Sequence, residues 1–216
     1  MKHVILQLDL KSNFRKARIY MIKLSTHVRF LSGSPQFRIT ETMDEEAPNY
    51  QIYSQNDLLE DLTGIKNNNI ENKRVRTRDN VCTLSNGDML FSLISGTGSI
   101  VSKEHEGYLC TQNYIKLFTD ASIDGKFLIY LLNENSFIKK QFQVGLQGSS
   151  VLKYTLKQLK AIELPNLPSL NRQKLIGEIY WKQMRVEALK HQLAKSETEL
   201  ILRQLEEGMS YERNTI

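Results

Sequence analysis

From residue 49 to residue 118 the chain runs in short apolar stretches separated by Gly, Asn and Ser. Five of them read as strands: Ile52-Tyr53, Val81-Cys82-Thr83-Leu84, Met89-Leu90-Phe91-Ser92-Leu93-Ile94, Ser99-Ile100-Val101 and Tyr114-Ile115-Lys116-Leu117-Phe118. Asn86-Gly87-Asp88 is a tight-turn sequence between two of these. Asp57 to Leu62 predicts a short helix. A longer one is expected from Gly125 to Gln143, where Phe127, Leu128, Leu131, Leu132, Phe137, Ile138 and Phe142 form a helical apolar stripe.

The character of the sequence changes at Pro165-Asn166-Leu167-Pro168. Beyond it there is no proline and helix formers dominate, with Ser169 or Asn171 able to cap a helix and Gly208 able to end it. The pattern predicts an α+β fold, a globular domain of mixed short strands and helices followed by one long coiled-coil α-helix. The expected divisions are an appended N-terminal segment over 1–24, which is basic and weakly patterned, the domain over 25–168, a helix over 169–208 and a flexible tail over 209–216. No internal repeat or low-complexity tract is present.

Within the C-terminal helix, Ile179, Val186, Leu193 and Leu200 recur every seventh residue, the spacing of a surface that packs on another helix along its length. The companion seam of Lys182, Leu189, Ser196 and Arg203 adds one good apolar residue, Leu189. A helix from about Asn171 to Glu207 is on the order of 55 Å long, at ~1.5 Å per residue. A domain of some 140 residues is narrower than that. A partner helix is therefore expected, making Ile179, Val186, Leu189, Leu193 and Leu200 the dimer positions. The competing arrangement folds the helix back onto its own domain.

Composition agrees with a folded chain, since 40% of the 216 residues are hydrophobic and 25% charged. Val4-Ile5-Leu6 starts an apolar run that Asp9 and Lys11 interrupt before it reaches signal-peptide length, and no run reaches membrane-span length. The expected location is the cytoplasm. Two cysteines, Cys82 and Cys110, are too few for a disulfide framework and lack zinc-site spacing, so both are read as small buried residues.

The net charge of +5 permits binding to phosphate without requiring it, but its distribution is uneven. No acidic residue occurs from Asn135 to Ile162, a span that carries Lys139, Lys140, Lys153, Lys157 and Lys160. A second cluster gathers Lys73, Arg74, Arg76 and Arg78. Either cluster alone is ordinary solvated surface; together they favour a polyanion.

Signals for catalysis are sparse. His3, His27, His105 and His191 show no metal-binding spacing, and no metal site is expected. Gly96-Thr97-Gly98 lacks the remaining residues of a nucleotide loop and reads as a turn, as does Gly145-Leu146-Gln147-Gly148. No two of the four prolines are adjacent, so the Asn/Asp-Pro-Pro-aromatic motif of an amino methyltransferase is missing. A small cysteine hydrolase built on Cys110 and His105 stays open as the contrasting reading.

A series of segments nevertheless occurs in a telling order. It comprises Ser32-Gly33-Ser34-Pro35, Leu84-Ser85-Asn86-Gly87-Asp88-Met89-Leu90-Phe91-Ser92, the Gly96-Thr97-Gly98 turn, Gly125-Lys126-Phe127-Leu128-Ile129-Tyr130-Leu131-Leu132 and Gly148-Ser149-Ser150. It ends with Ile162-Glu163-Leu164-Pro165-Asn166-Leu167-Pro168-Ser169-Leu170-Asn171-Arg172-Gln173-Lys174-Leu175-Ile176. From about Ser25 to Gly208 the chain resembles the target-recognition domain and following helix of type I restriction-modification specificity subunits.

The usual family member carries two recognition domains and two helices, whereas this chain has one of each. The resemblance therefore implies a half-length, non-catalytic DNA-reading subunit that forms a homodimer, with an antiparallel helix pair setting the spacer of a bipartite, palindromic target. It implies double-stranded DNA and methyltransferase subunits as partners, with a restriction subunit as a further one. S-adenosylmethionine would be bound by the methyltransferase and no cofactor by this chain. A regulatory or decoy half-subunit that exchanges into another specificity complex is the alternative within the family.

Residue chemistry then divides the labour, cations contacting phosphate and amides or hydroxyls reading base edges. The phosphate candidates are Arg74, Arg76, Arg78, Lys103, Lys139, Lys140 and Lys153. The base-reading candidates are Gln112, Asn113, Gln147, Ser149, Ser150 and Tyr154.

Overall fold

The computed structural model describes residues 22–66, 72–146 and 154–213. Its elements in chain order are β1 (Ile22–Lys23), α1 (Leu24–His27), β2 (Val28–Ser32), β3 (Asn49–Gln51), α2 (Gln55–Thr63), β4 (Arg74–Arg76), β5 (Met89–Ser92), β6 (Gly98–Ile100), β7 (Tyr114–Thr119), α3 (Gly125–Glu134), α4 (Ser136–Leu146), α5 (Leu156–Ala161), β8 (Glu163–Leu164) and α6 (Leu170–Arg213). The α+β class and the long terminal helix are as expected. Among the described residues no helix is long and apolar enough to cross a membrane.

A four-stranded antiparallel sheet, in the order β2-β7-β5-β6, organises the domain. Side chains alternate across a strand, so β5 and β7 serve two cores at once. Phe91, Ile115 and Leu117 face a core shared with Leu128, Leu131, Leu132, Ile138, Phe142 and Leu159 of α3, α4 and α5. Leu90 and Tyr114 face the opposite side, packing with Tyr53, Leu58, Leu84, Val101 and Cys110. Both cysteines are free thiols, Cys110 buried and Cys82 half-buried.

The segments of that ordered series have structural duties. In the Asn86-Gly87-Asp88 turn, Asp88 accepts from Ser85 N (2.8 Å) and from the buried Lys116 Nζ (2.5 Å), which also donates to Thr83 O (2.7 Å). At Gly33 a Cβ would sit 2.3 Å from Thr111 O and 2.4 Å from Cys110 O, so only glycine lets these backbones approach. Gln173, within the Arg172-Gln173-Lys174 run, is buried at the foot of α6. There it accepts from Asp124 N (3.0 Å) and donates to Ser122 O (3.1 Å) and Pro168 O (2.9 Å).

Several elements differ from expectation. Residues 81–84 form no strand, because their hydrogen bonds go to scattered partners: Cys82 N donates to Ser34 Oγ and Leu84 N to Tyr108 O, leaving one isolated bridge at Thr83. The helix expected over Gly125 to Gln143 is two helices. Asn135 is extended, its N–H still bonded to Leu131 O, while its side-chain oxygen accepts from Phe137 N and Ile138 N to cap the next helix.

Leu24, placed with the appended segment, is fully buried, and its neighbours Ile22 and Lys23 pair with Leu164 and Glu163. This strand pair ties the start of the domain to the entrance of α6. The helix itself continues past Gly208 to Arg213.

Candidate nucleic-acid interface

β3 and β4 form a two-stranded antiparallel ribbon in which Asn49 lies opposite Arg76, Tyr50 opposite Val75 and Gln51 opposite Arg74. Val75 is buried. Because successive side chains alternate, Arg74, Arg76, Asn49 and Gln51 share the other face. Arg78 extends the row two residues further, beyond the buried Thr77. The three arginines of the basic cluster are thus brought together along one edge of the ribbon.

A loop from Gln36 to Ala47 lies along the ribbon. Thr42 N donates to Arg76 O (2.9 Å), Thr77 N to Pro48 O (3.0 Å) and Thr40 N to Asp79 Oδ2 (2.6 Å). Arg78 pairs with Asp44, its Nε donating to Oδ2 at 2.8 Å, and Arg76 Nη1 reaches Asp44 O at 3.4 Å. The Arg78 guanidinium holds the Asp44 carboxyl below its usual pKa, aided by the Glu46 N–H. The loop leaves Phe37 at 80% and Met43 at 95% exposure, two large apolar side chains at the margin of a basic and amide-rich face.

The other candidates scatter. Lys103 is exposed in a 3-10 turn, Lys103–His105. Lys139 and Lys140 are exposed on α4, whose Ile138 and Phe142 enter the core, and Lys139 pairs with Glu134 at 2.8 Å. Gln112 braces the loop, its Oε1 accepting from Gln36 N at 2.7 Å. Asn113 is half-buried and its carbonyl accepts from Leu93 N at 2.8 Å. Tyr154 packs edge-on against Phe142 and Phe91, with ring centroids 5.1 and 6.1 Å away, so its ring belongs to the core. Lys153, Gln147, Ser149 and Ser150 lie outside the described residues.

Asn49 and Gln51 escaped the sequence reading. Their signal is the polar-apolar-polar alternation Asn49-Tyr50-Gln51, matched by Arg74-Val75-Arg76, but each run is shorter than a strand pattern that stands out alone. A two-stranded ribbon fits the DNA major groove, where Arg can fork onto guanine and Asn or Gln onto adenine.

The proposed dimer positions sit on α6, which meets the domain through its first four turns. There Gln173, Gly177 and Tyr180 are buried and Ile176, Trp181 and Met184 half-buried, packed against α3 and α2. Ile179, Val186, Leu189, Leu193 and Leu200 are exposed, from 43% at Val186 to 60% at Leu193. At about 100° per residue this row lies on the side of the helix opposite Gln173, Tyr180 and Met184. The helix therefore folds back and projects at once, and its heptad row is uncovered.

Cys110 and His105 make no nucleophile–base pair. The Cys110 thiol is buried and its pKa raised, first by its hydrogen bond with Cys82 and then by burial. Both ring nitrogens of His105 face carboxylates instead. This removes the residues on which the cysteine hydrolase reading rested.

A small antiparallel sheet thus carries a basic two-stranded ribbon at one side and a long helix that projects beyond the domain. The family model for the type I restriction modification DNA specificity domain matches residues 37–195, and the chain belongs to that family. Curated sequences give no match. Among solved structures, the HsdS subunit from Thermoanaerobacter tengcongensis superposes with a TM-score of 0.54 at 17% identity, covering 93% of this chain and 44% of that one. A second, from a study of complex assembly and conformational transition of the type I R-M system, gives a TM-score of 0.54 at 18% identity, covering 85% and 42%. The chain spans less than half the length of either.

Proposed function

We propose that this chain is a half-sized DNA-specificity subunit that reads one half of a bipartite palindromic site and acts as a homodimer. The observation that carries the reading is the uncovered row Ile179, Val186, Leu193 and Leu200 on the far side of α6. Apolar surface removed from water contributes about 25 cal/mol per Å². A second copy of the helix, laid antiparallel, covers the row and places a recognition domain at each end, with helix length setting the spacer.

Within each domain the β3–β4 face lies in the major groove. Arg74 and Arg76, with Arg78 where it is released from Asp44, contact phosphate or guanine, and Asn49 and Gln51 join Gln147, Ser149 and Ser150 as base readers. Gln112 and Asn113 support that surface. Lys103, Lys139 and Lys140 add phosphate contacts farther round the domain, and Lys153 is a further phosphate candidate. The chain itself performs no chemistry and holds no cofactor. Methyltransferase subunits dock on it and use S-adenosylmethionine, and a restriction subunit is a further partner.

Sedimentation of the purified chain together with gel shifts on random DNA tests this. The expected results are a dimer at micromolar concentration, and retention that falls about a thousandfold between 50 and 200 mM salt, the loss for roughly six phosphate contacts. Co-expression with a methyltransferase subunit should yield a stable complex. A monomer at high concentration, or no association with that subunit, overturns the reading. A mixed complex with a different specificity chain, seen by mass, favours the exchanging half-subunit instead.

A further inference from the structure

Where the chain enters and leaves the ribbon, next to Tyr53 and Asn72, His105 is buried among three carboxylates from a single helix. Asp57, Glu60 and Asp61 occupy one face of α2, and the Lys103–His105 turn brings the imidazole to them. Asp61 receives three donors: Ser102 N at 3.0 Å, Tyr53 Oη at 2.6 Å and His105 Nδ1 at 2.7 Å. An ionised carboxylate only accepts, so Nδ1 carries the proton it donates. The other ring nitrogen, Nε2, is thereby aimed at Asp57 Oδ1 (3.4 Å) and Glu60 Oε2 (3.6 Å).

Those separations exceed the 2.7–2.9 Å or so of a charge-assisted hydrogen bond. They match something else: a tetrahedral ion with bonds of about 2.1 Å holds its ligand atoms about 3.4 Å apart. One donor atom from each of Asp57, Glu60 and His105 lies within 4.8 Å of the others, with His105 and Asp57 buried and Glu60 half-buried. Asp57 is already fixed by Asn72 Nδ2, at 3.0 Å from Oδ1 and 2.9 Å from Oδ2, and by the Ser54 N–H and hydroxyl. Its Oδ1 keeps a second lone pair. The Asp61–His105 bond is the carboxylate–histidine contact that orients metal-bound imidazoles.

We propose that Asp57, Glu60 and His105 bind a divalent transition-metal ion of the Zn²⁺ class, with Asp61 positioning the imidazole. Glu60 is the least buried of the three, and water as the fourth ligand enters from its side. The ion sits where α2 meets the 3-10 turn and neutralises a concentrated negative charge, so its role is to clamp α2 against the sheet that carries β6. It is a structural site that also braces Tyr53 and Asn72 at the ends of the ribbon strands.

Calorimetric titration of the full chain with ZnCl₂, after exhaustive chelation and dialysis, tests this. The expected result is one equivalent bound, with affinity lowered at least tenfold in Glu60→Gln and His105→Gln and unchanged in Cys82→Ser and His191→Gln. Zn²⁺ should also raise the melting temperature of the wild type more than that of Glu60→Gln. Because Glu60 is less buried than His105, its variant keeps the test decisive if His105→Gln does not fold. No saturable binding, or binding that Glu60→Gln leaves unaltered, overturns the proposal.

Discussion

The two halves of α6 are made of similar residues and live in different surroundings. From Gln173 to Arg185 the helix is part of the domain: Tyr180 accepts from Asn133 Nδ2 at 3.0 Å, and Arg185 donates to Gly64 O at 3.1 Å. From Leu189 onward every residue whose burial is described is exposed. Isolated helices are marginal in water, so the first half is held by packing and the second half requires a partner to be equally firm. The apolar row on the outer side continues through both halves, so one element serves two interfaces on opposite faces.

Removing the anchor of the packed half should have the largest effect. Tyr180 is buried and stacks edge-on with Tyr130 and Trp181, at centroid distances of 5.6 and 6.4 Å. Asn133, to which it bonds, also clasps β6 through Gly98 N (2.7 Å) and Gly98 O (2.9 Å). Tyr180→Ala should destabilise the chain by about 3 kcal/mol, as for other large aromatic truncations. Urea unfolding measures it. A loss under about 1 kcal/mol would mean that the first half is no better anchored than the second.

The next test uses one substitution at two sites. At Gly177 a Cβ would lie 2.7 Å from Lys126 Cβ and 2.8 Å from Phe127 N, where α6 meets α3, and backbone cannot yield as a side chain can. At Gly208 it would meet nothing within 4 Å. Overpacking costs about 1–3 kcal/mol, against roughly 1 kcal/mol gained in helix propensity on replacing Gly by Ala. Gly177→Ala should therefore lower the unfolding midpoint, while Gly208→Ala should raise helical circular dichroism and leave the midpoint unchanged or higher. Equal signs at the two sites would erase the distinction between the halves.

Sequence periodicity revealed the long helix, its outer row and the α+β class, because those signals repeat over many residues. It did not reveal the break at Asn135, since the apolar stripe runs on across the kink and only the Asn135 side chain marks it. Nor did it reveal that Gln173 and Tyr180 face inward, for they fall between the heptad positions. In the candidate interface, Arg74, Arg76 and Arg78 were visible as a cluster of positive charge, whereas Asn49 and Gln51 join them only by pairing across the ribbon. The packing of the Tyr154 ring on Phe91 and Phe142 was not legible, because a loop tyrosine and one that packs on a core look alike in sequence. His105 lies 44 residues from Asp61, beyond any local pattern.

The smallest expected change in folding stability comes from the outer row itself, and it separates the two interfaces most cleanly. Leu193 is 60% exposed on the projecting half, so replacing it removes little packing within the chain. Leu193→Glu should alter folding free energy by less than about 0.5 kcal/mol, measured at nanomolar protein where the chains are apart. At micromolar concentration the same variant should sediment as a monomer, because two copies would bury a carboxylate in the helix seam, where an unpaired charge is strongly disfavoured. A variant that unfolds the monomer would place Leu193 against its own domain. One that still dimerises would move the interface away from the row on which the paired-reader arrangement rests.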